Sequence, residues 1–247
     1  PIEDLRANLN NFVFGYGRTF GVFGKLGRVD VIVPTSLVTL KAVIEGVDTS
    51  ANRNGMGDPQ LRFSMILAGV AAMDAVEFAQ TSQKPYRFGF QFAVKPPLGR
   101  YKNTQLINLG TNRWAFKLGI AGAYILNSKW VLEAHINSWA FTANKDFNEG
   151  NELKQEGLLS FQTHVTYIFN RRMWAAVGVG TNTFGETRLN EIEQSDAQTT
   201  LRSGVAFAYR FGKRHGLKGS MSNNLVQRKG ADFTSVTISY QYLWISK

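Results

Sequence analysis

The sequence has 247 residues, no cysteine and a formal net charge of +10. The lack of cysteine excludes disulfides and thiolate metal sites, and no apolar run approaches the ~20 residues that a transmembrane helix needs. Lysine and arginine are scattered through the sequence without a dense basic run, so we expect no nucleic-acid partner despite the charge. Because no long linker divides the chain, we expect a single domain over residues 1–247.

The N-terminal segments alternate apolar and polar residues with the period of two that is typical of a β-strand. Phe12–Phe23 is the first such segment, and a short turn at Gly24–Gly27 leads into Val29–Val33. Pro34 interrupts the alternation before it resumes at Leu37–Gly46. Because proline cannot donate a ladder hydrogen bond, we predict a turn at Pro34 that separates strands two and three. The alternative is one long, kinked strand there, with the missing strand nearer the N-terminus.

Two irregular stretches follow. Gly46–Gly57 is rich in Gly and Asn and predicts a loop, after which alternation returns at Leu61–Leu67. Gly69–Gln83 has no period of two and predicts a short helical or loop insertion. This insertion is either a surface connection or a segment folded into the mouth of a barrel. In the second case its candidate constriction residues are Met73, Asp74, Glu77 and Phe78.

The rest of the chain repeats one unit, an alternating segment followed by a polar or Gly-bearing turn. Fully charged residues such as Arg87 and Glu133 lie in mid-segment, on the face opposite a row of aromatic residues. Three turns are short, at Asn127–Lys129, Asn170–Arg172 and Gly212–Gly216, and the turns between them are mostly longer. The predicted strands are Tyr86–Lys95, Trp114–Leu126, Trp130–Trp139, Leu159–Phe169, Trp174–Phe184, Leu201–Phe211, Leu217–Val226 and Phe233–Trp244.

These features are typical of a bacterial outer-membrane barrel, in which one face of each strand meets lipid and the other lines an aqueous lumen. Short periplasmic turns and longer external loops are a property of the same class. A soluble sheet with these rows would expose a large apolar surface. We therefore predict an all-β, transmembrane antiparallel β-barrel in the outer membrane of a Gram-negative cell. We expect twelve strands, because such barrels have an even number, and both termini on the periplasmic side.

The last strand is amphipathic, and we expect it to close the barrel by pairing with the first strand near Phe12. Its aromatic end resembles the C-terminal signal by which barrels are recognised for insertion. We therefore expect the barrel-assembly machinery as a partner, together with outer-membrane lipid and lipopolysaccharide. The apolar face of this strand carries Val236, Ile238, Tyr240, Tyr242 and Trp244.

Short motifs occur in order between residues 57 and 204. They are Gly57–Arg62, Lys95–Tyr101, Asn108–Trp114, Leu132–Ala134, Phe141–Phe147, Gly185–Thr187 and Gln198 with Arg202–Gly204. Together they make the chain resemble the outer-membrane channel family described as "putative meta-pathway of phenol degradation", which occurs with genes for the breakdown of aromatic compounds. The resemblance implies a monomeric barrel that passes small hydrophobic molecules such as monoaromatics. It implies no catalytic residue and no cofactor.

The polar faces of the predicted strands supply the candidate pore-lining residues. The set around Glu133 is either a polar constriction, with Glu133 paired to an arginine across the pore, or a solvated wall whose charges balance. Lumen arginines and lysines favour anions, and we expect Arg28 to be paired by Asp30. The candidates are Arg62, Arg87, Lys117, Glu133, His135, Asn137, Trp139, Gln162, His164, Arg202 and Arg210.

Other chemistries find little support in the sequence. A metal site would need Glu133 with both lumen histidines, because His215 lies in a distant turn. A Ser–His pair of His164 with Ser160 or Ser138 lacks a nucleophile-elbow pattern. We therefore expect no metal, no cofactor and no enzymatic activity. The expected function is passive uptake of small hydrophobic or monoaromatic compounds, and the alternative is a general small-solute porin with mild anion preference.

Overall fold

The computed structural model describes residues 2–44, 47–72, 84–228 and 232–244. These residues form antiparallel β-strands and turns, with no helix among them. Among them no helix has the length and apolar character needed to cross a membrane.

Sixteen strands are present in the described ranges. Their bounds are β1 Ile2–Val22, β2 Lys25–Ile44, β3 Val47–Met56, β4 Gln60–Ala68, β5 Tyr86–Lys95, β6 Ala115–Ile125, β7 Trp130–Phe141, β8 Asn144–Phe147, β9 Asn151–Gln155, β10 Leu158–Asn170, β11 Met173–Phe184, β12 Thr187–Leu189, β13 Ile192–Glu193, β14 Gln198–Phe211, β15 His215–Arg228 and β16 Ser235–Tyr242.

Twelve of these strands form one curled antiparallel sheet. Eleven follow the order β1-β2-β4-β5-β6-β7-β10-β11-β14-β15-β16, and β3 pairs with the same edge of β2 as β4 does. The other four form a small sheet, β13-β12-β9-β8, within the long loops. The all-β architecture predicted from the sequence is confirmed, and the large sheet has the predicted number of twelve strands, although the strands around Pro34 and residues 47–56 differ from those predicted. The small sheet lies in two of the longer connections between predicted strands, where the sequence predicted no strand.

The predicted turn at Pro34 is wrong, because β2 runs through this residue without a break. Along one edge of β2, β4 pairs as far as Ile32 and β3 pairs from Thr35 onward, with residues 57–59 between them. The carbonyl of Pro34 accepts a hydrogen bond of 2.9 Å from the N–H of Gly57. Since the N–H and carbonyl of one strand residue point to the same side, the missing donor of Pro34 faces this interruption in the ladder.

The predicted loop at Gly46–Gly57 is also wrong in most of its length, because Val47–Met56 is strand β3. Its sequence is polar and lacks an apolar row, but its backbone pairs with β2 from Thr35 to Ile44. β3 and β4 lie end to end along the same edge of β2 and run in the same direction. When the chain is followed from strand to strand, Ile2 and Trp244 therefore lie at opposite ends of the sheet. The expectation that both termini lie on one side is therefore not met.

Only the start of the predicted insertion at Gly69–Gln83 lies in the described ranges. Residues 69–72 form an extended connection: Ala71 makes an isolated bridge with Lys25, and the N–H of Ala72 donates to the carbonyl of Gly24 at 3.1 Å. Residues 73–83, with the four candidate constriction residues Met73, Asp74, Glu77 and Phe78, lie outside the described residues.

The two faces of the large sheet differ as the alternation predicts. Residues paired across antiparallel strands point to the same face, so the register assigns every strand residue to a face. The inner face holds the buried residues Asp30, Ala93, Asn137 and Ser160. The outer face is an apolar surface exposed on all sides of the curl, and includes Phe88, Phe92, Leu118, Ile120, Ile136, Phe161, Val177, Val205, Phe207, Val236 and Ile238.

The two ends of the sheet also differ, as predicted. One end has tight turns at residues 23–24, 126–129, 171–172 and 212–214, and the other has long loops at 96–114, 142–157 and 185–197. Asn127 and Asn170 start two of the tight turns, because each side-chain oxygen accepts hydrogen bonds from the backbone N–H groups two and three residues later, at 2.8–3.1 Å.

The first and last strands meet through aromatic rings. Tyr16 on the outer face of β1 stacks on Trp244, with ring centroids 5.5 Å apart and an interplanar angle of 26°. Within the described ranges no backbone ladder joins β16 to β1, so the predicted pairing near Phe12 is not found. The ring pair is a side-chain contact between the two edges of the sheet.

We expect the Tyr16–Trp244 pair to contribute about 0.5–1.5 kcal/mol to the free energy of unfolding beyond its apolar burial. The test is a double-mutant cycle with Tyr16→Leu, Trp244→Leu and the double variant, measured by denaturant unfolding in lipid. A coupling energy of this size is predicted. Strictly additive effects of the two substitutions would contradict a direct contact between these rings.

Candidate functional site: the inner face and the loop cluster

All eleven candidate pore-lining residues lie on the inner face. One row crosses the sheet from Asp30 through Arg62, Ala93 and Lys117 to Trp139. The other candidates are assigned to the inner face in the same way, because each pairs with another inner-face residue. The pairs are Arg87 with Ala123, Glu133 with His164, His135 with Gln162, Asn137 with Ser160, Arg202 with Gly180 and Arg210 with Gly216.

Asp30 is the centre of a buried ion-pair triad. Its carboxylate is 3% exposed and receives Arg28 Nε on one oxygen at 2.7 Å and Arg62 Nη2 on the other at 3.0 Å. The pairing of Arg28 with Asp30 predicted from the sequence is confirmed, and Arg62 is added to it. Gly17 faces this triad across β1, and a Cβ atom there would overlap the Asp30 carboxylate, which explains the small residue.

A second polar group surrounds His135 and His164, whose rings meet edge to face with centroids 5.9 Å apart. Among the described residues Glu133 forms no ion pair, so the predicted pairing with an arginine across the pore is not found. Its carboxylate receives only a long hydrogen bond of 3.5 Å from the Thr166 hydroxyl. Asn137 is buried and accepts a hydrogen bond of 2.8 Å from Gln91 Nε2.

This group borders an inner cavity of about 420 Å³, which also reaches Trp174, Arg202 and Lys218. No group of three or more His, Cys, Asp or Glu residues suited to a metal ion occurs in the described part of the chain. The cavity is therefore lined by single polar groups and rings, and it is large enough for a small organic solute.

The Ser–His arrangements considered from the sequence are not formed. Ser138 pairs with Leu159 on the outer face, whereas His164 lies on the inner face. Ser160 shares the inner face with His164, but the two are four residues apart on one strand, a separation of about 13 Å. Neither serine lies within hydrogen-bond reach of the His164 ring.

Cations lie over aromatic rings on the inner wall formed by β6 and β7. Lys117 Nζ is 5.5 Å from the centroid of the Trp139 ring, and Arg113 Cζ is 4.5 Å from that of Phe141. The rings of Trp139 and Phe141 are 6.5 Å apart and within 3° of parallel. This wall, which we call the ring wall, therefore presents two parallel rings with a cation beside each.

Similar pairs occur on the strands β11 to β16. Arg202 Cζ lies 3.9 Å from the centroid of the Phe233 ring, and Lys218 Nζ lies 5.6 Å from that of Trp174. Arg202 Nη2 donates to the Ser222 hydroxyl at 2.9 Å. Within the described ranges Arg202 Nη1 and Arg87 Nε are buried and make no hydrogen bond.

Above the ring wall, the long loops are held by a buried carboxylate that the sequence did not single out as functional. Asp58 is 3% exposed and accepts hydrogen bonds from the N–H groups of Gly99 and Thr111 and from the Thr111 hydroxyl, at 2.7–2.9 Å. Gly99 and Gly110 pass so closely that a Cβ atom on either would lie 2.7 Å from the backbone of the other. The signal in the sequence was the motifs at residues 57–62, 95–101 and 108–114, which meet here.

A buried asparagine extends this loop cluster. Asn144 is 2% exposed; its Nδ2 donates to the Tyr101 hydroxyl at 2.9 Å, and its Oδ1 accepts from Asn112 Nδ2 at 2.8 Å. Arg113, which follows Asn112 in the sequence, contacts Gln155 Oε1 and lies over Phe141. Burial lowers the pKa of Arg113 below its ordinary value, and the charge of Asp58 acts in the opposite direction. The loop cluster thus positions one cation of the ring wall.

Comparisons with known proteins agree with this architecture. The model of a family described as "Putative MetA-pathway of phenol degradation" matches residues 3–241. The solved structure of the COG4313 outer membrane channel from Pseudomonas putida F1 is similar, with a TM-score of 0.80, 19% sequence identity, and coverage of 97% of this chain and 84% of that one. No curated protein matches the chain. The fold is that of an outer-membrane channel barrel, and the predicted fold class and outer-membrane location are confirmed.

We expect Asp58→Asn to loosen the loop cluster, because an amide nitrogen cannot accept the hydrogen bonds that one carboxylate oxygen accepts. Leaving buried donors unpaired costs about 1–3 kcal/mol. The expected result is a lower free energy of unfolding and faster proteolysis within residues 96–114. Asp48→Asn on exposed β3 is the matched control and should change neither. Equal behaviour of the two variants would contradict the role of Asp58.

Proposed function

Because the chain belongs to the family described as "Putative MetA-pathway of phenol degradation", we propose that it is a channel for small hydrophobic and monoaromatic compounds. The solutes cross the outer membrane by passive diffusion through a monomer. The protein has no catalytic residue, cofactor or metal in this role. Its partners are the solutes, the surrounding lipid and lipopolysaccharide, and the barrel-assembly machinery that engages the C-terminal strand.

The observation that carries this proposal is the ring wall. Trp139 and Phe141 present parallel rings to the inner face, and Lys117 and Arg113 lie beside them at 5.5 and 4.5 Å. A flat aromatic solute can stack on the rings while its hydroxyl or carboxylate group meets a cation. A monoaromatic compound needs both contacts, since it has an apolar ring and one polar end.

The remaining inner face suits passage rather than tight capture. The cavity beside His164 is bordered by separate polar groups, which include Glu133, Gln162 and Arg202. A solute can therefore exchange one weak polar contact for another as it moves. Weak, repeated contacts favour conduction, because a solute must leave each site as well as enter it.

A general small-solute porin with mild anion preference is the second candidate. Its supporting observation is the charge of the inner face, where the two arginines beside Asp30 already neutralise that carboxylate. The cations left over include Arg87, Lys117, Arg202, Arg210 and Lys218, whereas Glu133 is the remaining inner-face acid in the described strands. Such a surplus of positive charge favours anions.

We expect Trp139→Ala to weaken the interaction of aromatic solutes with the open channel. Losing one stacking face and the ring beneath Lys117 removes about 1–2 kcal/mol, so half-maximal block of single-channel current by benzoate should need roughly five- to thirtyfold more solute. The control is Trp114→Ala, which removes an exposed ring on the outer face and should leave the block unchanged.

An unchanged benzoate block in Trp139→Ala would contradict the ring wall as a solute path. If the wild-type channel also conducts small sugars in liposome swelling and its reversal potential is anion-selective, the general porin is the better description. Absence of any conductance after reconstitution in planar bilayers would contradict both.

A further inference from the structure

The short-turn end of the barrel is a basic surface. Its turns contain no acidic residue in the described ranges, and β2 also begins with a lysine, Lys25. Every one of these cations is exposed, and none forms an ion pair with an acid that the structure describes. The cations of the turns, which we call the basic rim, are Lys84, Lys129, Arg171, Arg172, Lys213 and Arg214.

The basic rim rests on outward-facing aromatic side chains. Lys129 Nζ lies 6.0 Å from the centroid of the Tyr167 ring, and Lys84 Nζ lies 5.8 Å from that of Tyr86. Arg214 Nη1 donates to the Tyr242 hydroxyl at 3.3 Å. By the strand register these tyrosines lie on the lipid-facing side of the barrel. Rings of this kind sit at the membrane interface, so the cations beside them lie at the depth of lipid headgroups.

At the opposite end of the sheet, cations of the long loops form ion pairs with acidic side chains. In the long loops Lys154 lies 2.9 Å from Glu152 and also contacts Glu191, and Arg188 lies 2.9 Å from Glu193 and 3.6 Å from Glu156. These loops carry their own counter-charges. Among the described residues the basic rim has no such counter-charges.

We propose that the basic rim binds the headgroups of anionic phospholipids in the membrane leaflet that surrounds the short-turn end. Arginine and lysine both bind phosphate oxygens, arginine in bidentate fashion. Clustered cations at a membrane surface attract anionic lipid, and each adds to the attraction. A lipid is favoured over an acidic protein because Lys84 and Lys129 lie over lipid-facing rings, where a lipid headgroup is the neighbouring molecule.

The test compares two double variants that remove the same charge. Lys84→Gln with Lys129→Gln removes two rim cations, and Lys102→Gln with Lys145→Gln removes two exposed cations from the long loops. Full-length protein in nanodiscs of phosphatidylcholine containing a small fraction of phosphatidylglycerol is examined by native mass spectrometry for retained phosphatidylglycerol. The rim variant should bind this lipid roughly twenty-fivefold more weakly, because each lost charge weakens binding about fivefold, and the loop variant should match the wild type.

Three results would overturn the proposal. They are equal retention of phosphatidylglycerol and phosphatidylcholine by the wild type, equal loss in both double variants, and displacement of the lipid by inorganic phosphate at the same concentration, which would indicate a site for free anions. The benzoate block of the channel is measured on the same variants and should not change. The lipid proposal and the proposed function can therefore fail separately.

Discussion

Backbone hydrogen bonding across the hydrocarbon region is the constraint on which this structure depends. No water is present there to satisfy an N–H or carbonyl group, so strands must pair with strands around the whole curl. The described strands pair in order from β1 to β16, with β3 and β4 end to end along one edge of β2, and this pairing fixes which residues face lipid and which face inward. The exposed row that includes Leu118 and Ile120 and the inner row that includes Lys117 are consequences of the same pairing.

Several charged and polar side chains of the inner face have partners within that face. Asp30 is held between two arginines, Asn137 by Gln91, and Lys117 and Arg202 over aromatic rings. The loop cluster belongs to the same system. Asp58 binds the backbone of Thr111, two residues before Arg113, whose guanidinium lies over Phe141. A carboxylate outside the lumen therefore sets the position of a cation that we propose meets the solute.

The sequence was informative wherever one strand alone carried the signal. Alternation in Tyr86–Lys95 or Leu201–Phe211 predicts both the strand and its inner residues, because the period of two is local. The sequence-based prediction was wrong where the conformation depends on a neighbouring strand. Pro34 is accommodated because its partner strand is interrupted opposite it, and β3 is a strand because β2 offers it a backbone edge. Asp58 joins residues 41 and 53 positions away, and the sequence shows only that the motifs exist. Glu133 lacks the predicted arginine partner among the described residues, and its neighbours in the ladder are Ala123 and His164.

An outer-membrane barrel requires that the polar face of the sheet encloses water and that the opposite face meets lipid. The chain contains no cysteine, so single cysteines can report on each position of β6. Neighbouring residues give the sharpest comparison: Ile120 faces outward and is 44% exposed, and Ala121 pairs with His135 on the inner face. In lipid bilayers Ala121→Cys should react with a charged, water-soluble thiol reagent and Ile120→Cys should not. Equal labelling of the two positions, or labelling of position 120 alone, would contradict the account.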